Sequence, residues 1–153
     1  MEEKDLQTLE FFKILEKLAS HTSFEVSREL ALSLRPSPDE KEVELRLRET
    51  AEAISLLQEK ADISIAGASD IRPFLDRAAK LQVLLPQELI AIKGTILAAV
   101  RLRRALARHA GRAPLLSAKA RGIEDYTWLA REIGQAISAV SYTHLTLPTN
   151  REV

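Results

Sequence analysis

The stretch SPDEKEVELRLRETAEAISLLQEKA, residues 37–61, decides the fold class. Its opening, Ser37-Pro38-Asp39-Glu40, is a helix start signal. Ser37 is placed to cap, Pro38 takes the first helical position where its missing N–H costs nothing, and Glu40 closes the capping box. Behind it Val43, Leu47, Ala51, Ile54, Leu57 and Ala61 step by three or four and line one face of a helix. Glu42 precedes Arg46, and Glu44 precedes Arg48, by four residues in the favourable acid-before-base order. From Asp39 to Ala61, at about 1.5 Å per residue, the helix is a rod of roughly 35 Å. One apolar stripe on such a rod has to be covered by neighbours, so the expectation is an all-α bundle.

The neighbours read as helices too. On the N-terminal side, Asp5 to Ala19 carries an apolar stripe of Leu6, Leu9, Phe12, Leu15 and Leu18. Thr22 with Glu25 forms a second capping box for a helix reaching about Leu34, which Arg35-Pro36-Ser37-Pro38 stops. On the C-terminal side, Asp62 to Ser69 with Gly67 is a loop or a short extended excursion. Asp70 caps a short helix to about Leu81, with Pro73 in its first turn. Pro86 starts a long helix to about Ala110, with Leu89, Ile92, Ile96, Ala99 and Leu106 on its buried side and Gly94 as a mild weakness. Arg112 to Gly122 is a short helix or an irregular link, and Ile123 to about Ala139 is a last helix with Leu129, Ile133 and Ile137 on one face. The sum is about six helices followed by an irregular tail.

Composition bounds the function classes. A chain of 153 residues, 46% hydrophobic and 29% charged, suits one soluble domain with a proper core. With no cysteine, disulfides and thiolate metal sites are excluded, and a reducing cytoplasm fits. The longest unbroken apolar run, Ile96 to Val100, is far too short to span a bilayer, and the acidic start is unlike a secretory signal. The net charge of zero conceals a split: residues 1–62 carry 15 acidic and 9 basic side chains, residues 63–139 carry 6 and 12. Such asymmetry marks either a nucleic-acid-facing half or two parts of one fold that attract each other. The second is preferred, because no patch is located by sequence alone.

Catalytic patterns are missing. A phosphate-binding loop needs glycines ahead of Lys-Ser or Lys-Thr, and none of Gly67, Gly94, Gly111, Gly122 and Gly134 is so placed. His21, His109 and His144 are scattered and form no metal or nucleophile motif. The pairs Asp39/Glu40 and Glu124/Asp125 stand at helix starts, where negative charge is stabilising in any case. The candidate ligand-facing residues are the arginines of the series 101, 103, 104, 108 and 112, of which Arg101, Arg104 and Arg108 fall along one side of a helix, in reach of phosphates. The plainer reading is a solvated face whose charge suits the helix C-terminus. No aromatics interleave, so base stacking is not supported.

At residue 140 the character changes. Val140 to Thr149 has no helical period and carries threonine at 143, 146 and 149. Residues 140–153 resemble a translated sequencing adapter, which places them outside the native fold and leaves 1–139 as the domain. The bland alternative is a genuine polar tail. An adapter scar implies a reading frame that continued.

The order of Thr22, Ser27-Arg28-Glu29-Leu30, Leu34-Arg35-Pro36, Asp39, Val43, Arg46 and Ala51 to Leu57 resembles the opening of the MutS core domain. Thr8-Leu9-Glu10-Phe11-Phe12-Lys13-Ile14-Leu15 and Asp70-Ile71-Arg72-Pro73-Phe74-Leu75-Asp76-Arg77-Ala78 narrow it to the second bacterial MutS paralogue. The resemblance covers about residues 5–139. Ser27 stands where that family usually has glycine, and Leu81-Gln82-Val83-Leu84-Leu85-Pro86 replaces a usual Gly-Gly-Val-Leu-Ser-Pro. The resemblance implies an N-terminal core piece of a large cytoplasmic homodimer. That whole protein would bind ATP and Mg, clamp branched or duplex DNA to restrain recombination or split collided ribosomes through rRNA, and often carry an endonuclease domain. None of those parts lies in this chain, which is expected to be scaffold without enzyme activity. The alternative is a free-standing helical protein-interaction module.

Overall fold

The computed structural model describes residues 3–59 and 61–144, and the side chains of 4–59 and 61–138. Among the described residues there are eight helices and no strand. They are α1 Glu3–Thr8, α2 Phe11–Ser20, α3 Glu25–Leu32, α4 Glu40–Gln58, α5 Arg72–Ala79, α6 Pro86–Arg108, α7 Pro114–Ala120 and α8 Thr127–His144. The all-α, bundle-like reading holds. The chain divides into two compact units, Met1–Ile63 with Ala105–Ala120, and Ser64–Arg104 with Arg121–Val153.

In the first unit α1 packs on α2, α2 on α3, and α4 on α7. The single helix expected over residues 5–19 is broken in two, because Glu10 adopts the left-handed conformation (φ 51°). Thr8 turns its hydroxyl back to the Lys4 carbonyl at 2.9 Å, a bond that competes with helix continuation. The break brings Leu6, Phe11 and Phe12 together with Leu15 and Leu32 around one cavity of about 290 Å³. Leu9, which the unbroken stripe would have buried, is exposed.

The capping boxes are corrected as well. Thr22 donates its hydroxyl to the Ala19 carbonyl and so closes α2, while Phe24 takes the cap position of α3 without a side-chain bond. At α4 the cap is Asp39, whose carboxylate accepts the Lys41 N–H at 2.9 Å. Ser37 stands one step back, accepting the Asp39 N–H at 3.2 Å and donating to Glu42. A carboxylate at the cap satisfies an orphan N–H and meets the positive helix end at once, so Asp39 outcompetes Ser37.

The face of α4 used in packing is not the predicted one. Leu56 is buried (3% exposed) beside half-buried Glu49 and Glu52, whereas Leu47 and Ile54 are 65% and 49% exposed. The periodic stripe is real but uncovered. What holds α4 to α7 is polar: Glu52 accepts the N–H groups of Leu115 and Leu116, and Lys119 donates to Glu49 at 2.6 Å. Arg112 pairs with Glu59. Two of these contacts, Lys119 with Glu49 and Arg112 with Glu59, join basic residues from the second half of the sequence to acidic ones from the first, the kind of attraction that the charge split suggested.

In the second unit the cap position of α5 falls to Ile71, without a side-chain bond, and the expected cap Asp70 stands one step back, accepting the Arg72 N–H at 3.0 Å; Pro73 is in the first turn as expected. That helix ends at Ala79, and Leu81 is left-handed (φ 57°) and 94% exposed. Burial on α6 is spread over Ile92, Ala98 and Val100 in this unit, and over Ala105 and Leu106 in the other, so it is not confined to the expected stripe. The last helix starts at Thr127, four residues later than predicted, because Asp125 accepts the Thr127 N–H at 3.0 Å as its cap. Its backbone stays helical through His144, past the predicted end at Ala139. No proline or glycine intervenes before Pro148, and an established helix adds one hydrogen bond per residue. The rest of the suspected adapter, residues 145–153, lies outside the described residues.

Candidate nucleic-acid interface

The three candidate arginines lie on α6, and each has a distinct surrounding. Arg101 turns its guanidinium onto the Ala66 carbonyl at 2.7 Å. It does so because the loop before α5 docks on α6 through glycine: a side chain at Gly94 would place its Cβ 2.9 Å from the Gly67 carbonyl oxygen. Gly67 itself needs its freedom, with φ at 91°. Thr95 completes the dock, its hydroxyl accepting the Ser69 N–H at 3.1 Å while also bonding the Ala91 carbonyl at 2.9 Å. Gly94, read from sequence as a weakness, is therefore the residue that lets the loop approach.

Arg103, not one of the three, is the better anchored. It donates to the Ile123 carbonyl at 2.8 Å and to Asp125 at 3.0 Å, tying α6 to the turn that opens α8. Arg104 is exposed and reaches the same Asp125 at 3.9 Å. The Asp125 carboxyl lies below its ordinary value, chiefly through hydrogen bonds from Thr127, with a smaller contribution from Arg103 and Arg104. Arg108 is exposed at the end of α6, belongs to the other unit, and has no ion-pair partner among the described residues. Two of the three arginines thus already serve the fold. Arg103 stands in the predicted series but not for its anchoring role, and Glu52 was missed, since only tertiary partners distinguish them from ordinary surface charges.

The loop at Gly67 faces Gly94, and no Lys-Ser or Lys-Thr pair follows it. Among the described residues no group of three or more His, Cys, Asp or Glu could hold a metal ion. No described helix is long and apolar enough to cross a membrane.

No protein-family model matches the chain. Individual relatives do. Endonuclease MutS2 of Symbiobacterium thermophilum is 38% identical over 137 residues, covering 90% of this chain. The chain resembles the MutS2 endonucleases. Endonuclease MutS2 of Geobacillus kaustophilus is 41% identical over 70% of the chain, and that of Thermomicrobium roseum 33% identical over 86%. The coverage is one-sided. The chain spans only 17% of the S. thermophilum protein and 14% of the G. kaustophilus one. The motif-based resemblance to the second MutS paralogue is thereby matched by whole-chain similarity.

Proposed function

We propose that the chain is a structural piece of a longer MutS2-type protein, a helical scaffold with no catalytic residues of its own. The observation that carries this reading is the mismatch in coverage: similarity fills 90% of the chain but only 17% of the relative. Two features of the structure support it. The best-defined apolar stripe, on α4, is uncovered, and Gly67 and Gly94 are spent on packing a loop against α6. In the whole protein, on this reading, a homodimer uses ATP and Mg at a distant site to clamp branched or duplex DNA or a ribosome in the cytoplasm. An endonuclease domain would complete it. The long α4 and α6 are the rigid members through which such motion passes. Where nucleic acid meets this piece, it does so at the arginine series, with Arg108 and Arg104 more available than Arg101.

The test is an exchange. The stretch of S. thermophilum MutS2 that matches this chain is replaced by residues 5–139. Nuclease activity close to that of the parent is the expected result. A protein that folds as the parent does but has lost the activity, or one that does not fold, overturns the reading.

The second reading, a free-standing helical interaction module, draws on the same uncovered face of α4. It requires no further polypeptide.

A further inference from the structure

We infer that the outward face of α4 is an interaction surface for one further helix, supplied by the remainder of a longer MutS2-type polypeptide. The inference rests on the reading above and adds the surface and the chemistry of its partner. Leu56, the buried residue of α4, and Leu47, the centre of the exposed stripe, are nine residues apart, which is two and a half turns. The helix therefore presents two opposite faces, a used one where Leu56 lies among Glu49 and Glu52, and an open apolar one. The open one holds Val43, Leu47, Ala51, Ile54 and, at its edge, Leu57, all exposed.

From Val43 to Leu57 the stripe is about 21 Å long, or roughly four turns, which is the length of an ordinary helix–helix contact. Thr50 and Ala51 lie at its middle, and small side chains there let a second helix come close. Its borders carry both signs. Arg46 on one flank is held by Glu42 at 2.5 Å, while Glu44 and Arg48 on the other flank have no ion-pair partner among the described residues. A membrane surface selects a uniformly basic border, and a polyanion selects a basic face without leucines. Mixed charge around an apolar ridge fits another amphipathic helix. Most of the length of the curated relatives lies beyond this chain, so a covering helix has a source.

The chain has no cysteine, so Leu47→Cys and Ile54→Cys each install a single thiol reporter. Their labelling rates are read by mass spectrometry of the peptide that carries them. They are read in the isolated chain and in the exchanged S. thermophilum protein. The expected result is fast labelling in the isolated chain and at least about tenfold slower labelling in the exchanged protein. Equal rates in an exchanged protein that keeps the parent's activity overturn this inference and leave the scaffold reading standing. An exchanged protein that does not fold overturns both. Protection that appears in the isolated chain as its concentration rises assigns the face to a second copy, and also overturns the inference.

Discussion

Glu52 on α4 accepts the backbone N–H of Leu116 on α7 at 2.9 Å, and its other carboxylate oxygen takes the N–H of Leu115 at 3.1 Å. Glu52 and Leu116 are 64 positions apart. A short helix opening with Pro114 has orphan donors in its first turn, and a carboxylate from another helix satisfies them. It does for α7 what a capping side chain does locally. Ala113, just before it, is completely buried, so water cannot substitute there freely.

Glu52→Ala should therefore destabilise the chain by about 1–2 kcal/mol, the cost of losing a charged cap with its partners left half-buried. Glu52→Gln keeps one acceptor and should cost less. Urea denaturation at neutral pH measures both, and equal stability of Glu52→Ala and the unchanged chain would remove the cap from the account.

Leu81 occupies the left-handed region just past α5 with its side chain in solvent. A β-carbon there is strained, and nothing is gained by burial in return. Leu81→Gly should stabilise by up to about 1 kcal/mol, the greater freedom of unfolded glycine offsetting part of the relief. A fall in melting temperature would show that the turn is held by other means.

Gly94→Ala should act in the opposite direction. A helix-interior Gly→Ala change ordinarily gains close to 1 kcal/mol, but here the new methyl meets the Gly67 carbonyl at 2.9 Å and must displace the loop. The expected net effect is a loss of about 1–2 kcal/mol. Gly111→Ala, whose new methyl would have no atom within 4 Å, should show no such loss. Thermal melts of the two variants side by side decide it.

The carboxyls of Asp70, Glu88 and Asp125 all lie below their ordinary values of 3.8 and 4.5. The leading causes are the hydrogen bond from the Arg72 side chain, the Leu85 N–H, and the Thr127 hydroxyl. The unfolded chain therefore binds protons more readily than the folded one. Stability from these groups is full above the ordinary carboxylate range and is lost as pH falls through and below it. Denaturation midpoints measured from neutral to acid pH should decline in that window, and Asp125→Asn should flatten the decline.

Arg101, Arg104 and Arg108, replaced together by glutamine, should weaken duplex DNA or RNA binding and flatten its dependence on salt. Arg101→Gln alone should in addition loosen the loop at Ala66, since its guanidinium holds that carbonyl. A binding slope unchanged in the triple variant would leave these residues to the fold.

Fold class was legible because periodicity and proline breaks are local signals. Which face of α4 packs was not, because the stripe at Val43, Leu47 and Ile54 reports apolar character and not the presence of a neighbour. In the structure the polar side, through Glu49 and Glu52, does the packing. The break at Glu10 was hidden for a related reason. The stripe runs on through Leu9 and Phe12, and no glycine or proline marks the left-handed residue. At the candidate interface the arginines were visible as a series. Their partners, Ala66 and Asp125, come from loops whose placement depends on Gly94 and on the cap at Thr127.

The most direct measurement of the central claim is to read the source DNA past codon 139. The expected result is an uninterrupted frame with further helical sequence and, later, a glycine-rich loop ending in Lys-Ser or Lys-Thr. A natural stop codon close to that point would contradict it.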